Sequence, residues 1–141
     1  MAAFTKIEDF AKQVAEKQHN LSQDNLYVCL SNTAVNAATA TQLSDITQIS
    51  TNGGYTAGGN QITGLGGTET NGVYKLSTQS DVTFTATGAA LDTFRYVVLY
   101  NASSTNNKLI GFWDYGSAVD ITAGNSFTVD FDNTNGVLTL Q

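Results

Sequence analysis

Proline is missing altogether, and cysteine, histidine and tryptophan occur once each in 141 residues. One cysteine cannot form an internal disulfide. Cys29 lies inside the apolar run 26–30, where a thiol is a small buried hydrophobe rather than a nucleophile with a base beside it. One histidine and one cysteine exclude clusters with zinc-ligand spacing. Charge is also scarce, at 13% against roughly 25% in ordinary globular chains. Basic residues are scarcest: 6 Lys and Arg against 12 Asp and Glu, a formal net charge of −6. Nucleic-acid binding needs clustered cations to neutralise phosphates, so neither a nucleic-acid nor an anionic-membrane partner is expected. No apolar run approaches the ~20 residues of a membrane-spanning helix. The opening MAAFTKIEDFAKQ carries acids and has no apolar centre, so it is not expected to act as a signal peptide, and synthesis in the cytoplasm follows.

What remains is polar, uncharged and aromatic. Ser and Thr number 30 and Asn 13, beside seven Phe and six Tyr in a chain that is 41% hydrophobic. That is enough to bury a core, and the length predicts a single domain over 1–141. Residues 4–18 carry a helical stripe of Phe4, Ile7, Ala11 and Val14 with Phe10 beside it, and Thr5 stands at capping-box spacing from Glu8. The spacing predicts one N-terminal α-helix that must dock to be stable, because so short a helix is marginal alone.

From residue 22 onward the pattern is β. Strands are predicted at 26–30, 43–49, 73–77, 82–87, 94–100, 109–115, 119–121, 126–131 and 137–140. FRYVVLY at 94–100 is the strongest, being β-branched and aromatic throughout. Asn135-Gly136, Asn71-Gly72 and Asn52-Gly53 are hairpin signals, as is Ala123-Gly124-Asn125. Residues 101–107 form a polar tip between two strong strands. The fold class is therefore mainly β: an antiparallel β-sandwich or barrel, jelly-roll-like, with one N-terminal helix. Residues 50–72 hold eight glycines and no periodicity. They are expected to form an extended arm, with Tyr55, Ile62 and Leu65 ordering against a partner. The lack of proline fits an arm that adapts to neighbours.

No constellation carries chemistry, and no catalytic residue, metal or cofactor is expected. His19 has no nucleophile elbow to serve and reads as a helix C-terminal residue. The Gly64-Leu-Gly66-Gly67 stretch lacks the Lys-Ser/Thr and the helix of a phosphate loop. Asp130 to Gly136 is faintly like a calcium loop, but its glycine falls one place late and its twelfth position is Gln141. A calcium site at Asp130 and Asp132 stays the minor alternative. Phe94, Tyr96, Tyr100, Phe112, Trp113 and Tyr115 read as core and cross-strand pairs, with a carbohydrate-stacking platform as the alternative. Arg95, the only arginine, is expected to pair with a carboxylate within the chain or across an interface.

The runs HNLSQDNLYVCLSNTA (19–34), LSDITQISTNGGYTAGG (43–59), FRYVVLYN (94–101), LIGFWDYG (109–116) and SFTVDFDNTNGVLTL (126–140) follow one another in a familiar order. They resemble small structural proteins of tailed bacteriophages, over nearly the whole chain. Members carry a proline after SNTA, where this chain has Val35, and LIGWWDYG, where it has Phe112 in LIGFWDYG. The resemblance implies a virion component, in particular a capsid decoration (cement) protein. Such a protein would sit on the capsid surface as a homotrimer, with the major capsid protein as partner. Phe4 and Ile7 on the helix, Tyr55, Ile62 and Leu65 on the arm, and Arg95 are the candidate contact residues. A tail, tail-fibre or head–tail joining component is the alternative; a carbohydrate-binding module using Trp113 and Tyr115 comes after it.

Overall fold

A computed structural model of the chain describes residues 2–141. In order, the elements are β1 (Phe4–Lys6), α1 (Phe10–Ala15), β2 (Leu26–Ser31), a 3-10 turn (Leu43–Asp45), β3 (Asn60–Gln61), β4 (Gly66–Thr70), β5 (Val73–Ser77), β6 (Val82–Thr85), β7 (Phe94–Asn101), β8 (Lys108–Val119), β9 (Ser126–Val129) and β10 (Leu138–Leu140). The fold is mainly β with antiparallel sheets and one short helix, a β-sandwich-like arrangement.

The strongest strand pattern lies in the middle of the largest sheet, ordered β1-β8-β7-β2-β3. Within β7, Val97 and Leu99 alternate with Tyr96 and Val98, and all four are buried. Val97 lies opposite Trp113 of β8 and Leu30 of β2; Val98 lies opposite Phe112 and Cys29. Both faces of this sheet are therefore covered, which is why the run is continuously apolar rather than alternating. A three-stranded sheet, β10-β5-β4, and a two-stranded ribbon, β6-β9, complete the body. Their inward residues Leu76, Leu138, Val82, Phe84 and Val129 join the same core cluster. Aromatic contacts tie the ribbon and the segment after it to the large sheet: Phe94 to Phe127 at 4.9 Å between ring centres, and Trp113 to Phe131 at 5.9 Å.

The N-terminal segment departs from the helix predicted over 4–18. Phe4–Lys6 is a strand paired with Trp113, Phe112 and Gly111, and the helix is confined to Phe10–Ala15. The edge of β8 offers backbone partners and a seat for an aromatic ring. Phe4 packs on Trp113 at 5.0 Å and lies over Gly111, where any Cβ would collide with the ring. A lone short helix could not match that burial. The face that α1 buries is Phe10 and Gln13, while Val14 is the one exposed large hydrophobic among the described residues.

Turn chemistry is realised unevenly. Asn71-Gly72 joins β4 to β5 as a two-residue turn with φ of 52° and 83°, the left-handed pair that its sequence predicts. Asn135-Gly136 does not join two paired strands: β9 pairs with β6 and β10 with β5. It is a corner that carries the chain from one sheet to the other. Ala123-Gly124-Asn125 likewise leads into β9 without pairing β9 to β8. Residues 43–49 give a 3-10 turn in place of a strand, because Asp45 accepts the backbone N–H groups of Thr41 and Gln42 at 2.9 and 3.1 Å. Of the strand predicted at 119–121, only Val119 is realised, as the last residue of β8; Asp120 and Ile121 lie outside any strand.

Candidate functional site

The residues expected to meet a partner separate into two groups. Ile7, Tyr55 and Ile62 are 0%, 2% and 2% exposed, so they belong to the chain's own core and offer no surface to a neighbour. Phe4 and Leu65 are partly buried and packed against that core. Arg95 is accessible: its side chain is 38% exposed, and it holds Asp114 with two bonds, Nε to Oδ1 at 2.7 Å and Nη2 to Oδ2 at 3.0 Å. This bidentate geometry is the favoured one for guanidinium and carboxylate. The pair draws the Arg95 pKa up and the Asp114 pKa down, through the side-chain hydrogen bond in each case. The guanidinium also lies 5.4 Å from the centre of the Tyr96 ring. Arg95 is thus satisfied within the chain, at an irregularity in the β7–β8 register between Phe94 and Tyr96.

The 50–72 segment is not a free arm. Tyr55 Oη donates to Gln48 Oε1 at 2.7 Å and accepts the Leu30 N–H at 3.2 Å, which closes the edge of β2 beyond β3. Burial pushes the Tyr55 pKa well above the ordinary phenol value. Gly58 N–H also donates to Gln48 Oε1, and Gly58 C=O accepts the Tyr100 hydroxyl. Gly59 has φ of +75° and presses on the Val28 carbonyl so closely that a side chain has no room. The accessible part of the segment is its second half, where Thr68, Glu69 and Thr70 of β4 are exposed.

The aromatics do not form a platform. Trp113 is 3% exposed, and Phe94, Tyr96, Tyr100 and Phe112 are all buried, so none offers an open face for a sugar. Tyr115 is half-buried and packs edge-on against Phe127. A surface groove of about 560 Å³ lies between the β1 end and β10 and is lined by Phe4, Phe131 and Leu138 among others. Asp132, once a calcium candidate, spends its carboxylate on its own turn. It accepts the Thr134 and Asn135 N–H groups at 2.6 and 2.9 Å and the Asn135 amide at 2.8 Å, and these bonds lower its pKa. Cys29 is fully buried, and burial raises its pKa to about 12, the setting of a structural thiol.

One polar cluster has no signal in the sequence. His19 Nε2 meets Gln13 Oε1 at 2.8 Å, and His19 Nδ1 meets Asn101 Nδ2 at 3.0 Å. Asn101, expected in an exposed tip, is fully buried at the end of β7 and also donates to Asp24 Oδ2 at 2.6 Å. Gln13 donates in turn to Asp9 Oδ2 at 2.9 Å. Residues 82 positions apart meet here, which no local pattern can announce. No family model, curated protein or solved structure matches the chain.

Proposed function

We propose that the chain is a structural component of a tailed-phage virion, a decoration protein that binds the head surface and stabilises it through contacts between subunits. The observation that carries this reading is the ordered set of segments from 19–34 to 126–140 that resembles phage structural proteins, spread over a β-sandwich-like body. Two features support it. The exterior is dominated by uncharged hydroxyls and amides, with Val14 the one large exposed hydrophobic among the described residues. A surface of that kind suits binding by many weak, repeated contacts rather than by one deep apolar pocket. The accessible elements left for contact are β4 with its turn and the Arg95–Asp114 pair. The partner is the major capsid protein, and the assembly is a homotrimer.

Quantitative mass spectrometry of purified virions tests this. A decoration protein should be present in roughly hundreds of copies per particle, as repeated positions on a symmetric shell require. A count of a dozen or fewer would replace the proposal with a tail, tail-fibre or joining component. Light scattering of the isolated chain at micromolar concentration should give a trimer mass. A monomer both alone and with capsids added would remove the trimer.

A further inference from the structure

We infer that His19 is the proton-operated element of a latch that ties the segment after α1 to the end of β7. Bond directions in the network leave one neutral arrangement. Gln13 Oε1 can only accept, so His19 Nε2 carries the proton and Nδ1 is the acceptor of an Asn101 Nδ2 hydrogen. The Asn101 amide cannot turn over without loss. Its Oδ1 takes the Ser103 N–H at 2.9 Å, while its Nδ2 donates to Asp24 as well as to His19.

Protonating Nδ1 sets a donor against a donor. His19 must then leave Asn101, and Asp24, already within reach of the same amide, is the acid that can receive it. The groups around the ring are few. From α1 come the Phe10 ring, near-perpendicular with ring centres 5.1 Å apart, and Gln13, with Asp9 behind it. From the turn at 20–24 comes Asp24, which also accepts the Asn20 N–H. Tyr74 of β5 and Leu140 of β10 line the adjoining depression. Lys17, two residues back, is the nearest cation along the chain. Burial holds the His19 pKa below 6.5, with the Asp24 charge opposing. The latch is therefore closed at neutral pH and opens on acidification.

The sign for stability follows from proton counts. Below pH 6.5 the unfolded chain protonates His19 while the folded chain still keeps it neutral. The unfolded state then binds more protons, so stability falls as pH drops from about 6.5 to the lower folded value. Nitrogen-15 NMR of the side chains between pH 8 and 5 tests the latch. The expected result is an Nε2–H tautomer at pH 8, a midpoint below 6.5, and Asn101 side-chain amide signals that shift with that midpoint. Asp24→Asn should lower the midpoint further, and His19→Gln should flatten the fall in thermal midpoint across this range. An Nδ1–H tautomer, a midpoint at or above 6.5, or an Asn101 amide indifferent to the titration would overturn the inference. These readouts come from the unmodified chain, so they stand even where a variant fails to fold.

Discussion

Residues 50–62 and residues 63–72 look alike as sequence, both rich in glycine and threonine, yet they end in opposite settings. The first half is bound into the body. Asn52 and Tyr55 exchange backbone bonds at 3.1 and 3.0 Å, Tyr55 and Ile62 are buried, and the Ile62 N–H donates to the Leu26 carbonyl at 2.8 Å. The second half carries β4 and the turn into β5; β4 is exposed from Gly67 to Thr70 and has no partner on its far edge among the described residues. Glycine content does not separate the two. A buried ring and a buried branched side chain do, because each recovers roughly 1.5–3 kcal/mol of burial against the cost of ordering the backbone around it.

The largest effect should come from removing the bound half. Replacing residues 50–62 with a short Gly-Ser linker deletes β3, Tyr55 and Ile62 and uncovers the edge of β2. Losses of about 2–5 kcal/mol for each large buried side chain approach the whole stability of an ordinary domain, about 5–15 kcal/mol. No cooperative urea transition should remain. A variant that still unfolds cooperatively, with an unchanged midpoint, would make the first half an arm after all.

Tyr55 then separates packing from hydrogen bonding. Tyr55→Ala removes the ring that packs against Phe84 at 5.8 Å and should cost about 3–5 kcal/mol. Tyr55→Phe keeps the ring but leaves the Leu30 N–H without its partner, at a cost of about 1–3 kcal/mol. Equal urea midpoints for the two variants would mean that the hydroxyl, rather than the ring, holds the segment down.

The same contrast explains what could be read in advance. Strands β7 and β8 and the Asn71-Gly72 turn were legible because their signals are local: β-branched and aromatic runs, and a left-handed residue pair. The helix predicted over 4–18 failed because Phe4 finds Trp113 and Gly111, more than 100 positions away in sequence. Asn135-Gly136 has the composition of a hairpin but joins two sheets, since the choice of strand partner lies outside the turn. The arm expected over 50–72 differs for a related reason. Tyr55 and Ile62 need burial, but their sequence cannot say whether a partner or the chain itself supplies it. The lone Arg95 calls for a carboxylate, and Asp114 within the same chain is that carboxylate.

The smallest effect belongs to the exposed strand. Thr68 lies opposite Lys75 in β4–β5, and it is exposed. Thr68→Ala should move stability by no more than about 0.5 kcal/mol, the ordinary range for a surface change away from a cap or a buried pair. Its exposure makes it the right probe for the outer half. If the hairpin is a contact element of a shell protein, Thr68→Glu should keep or slightly raise the urea midpoint, since Lys75 lies opposite, and yet weaken binding to capsids, because a charge on a flat polar strand must lose its water on close approach. Unchanged capsid binding by a folded Thr68→Glu variant would leave the hairpin as solvent-facing structure. The difference between the two halves would then be one of packing alone.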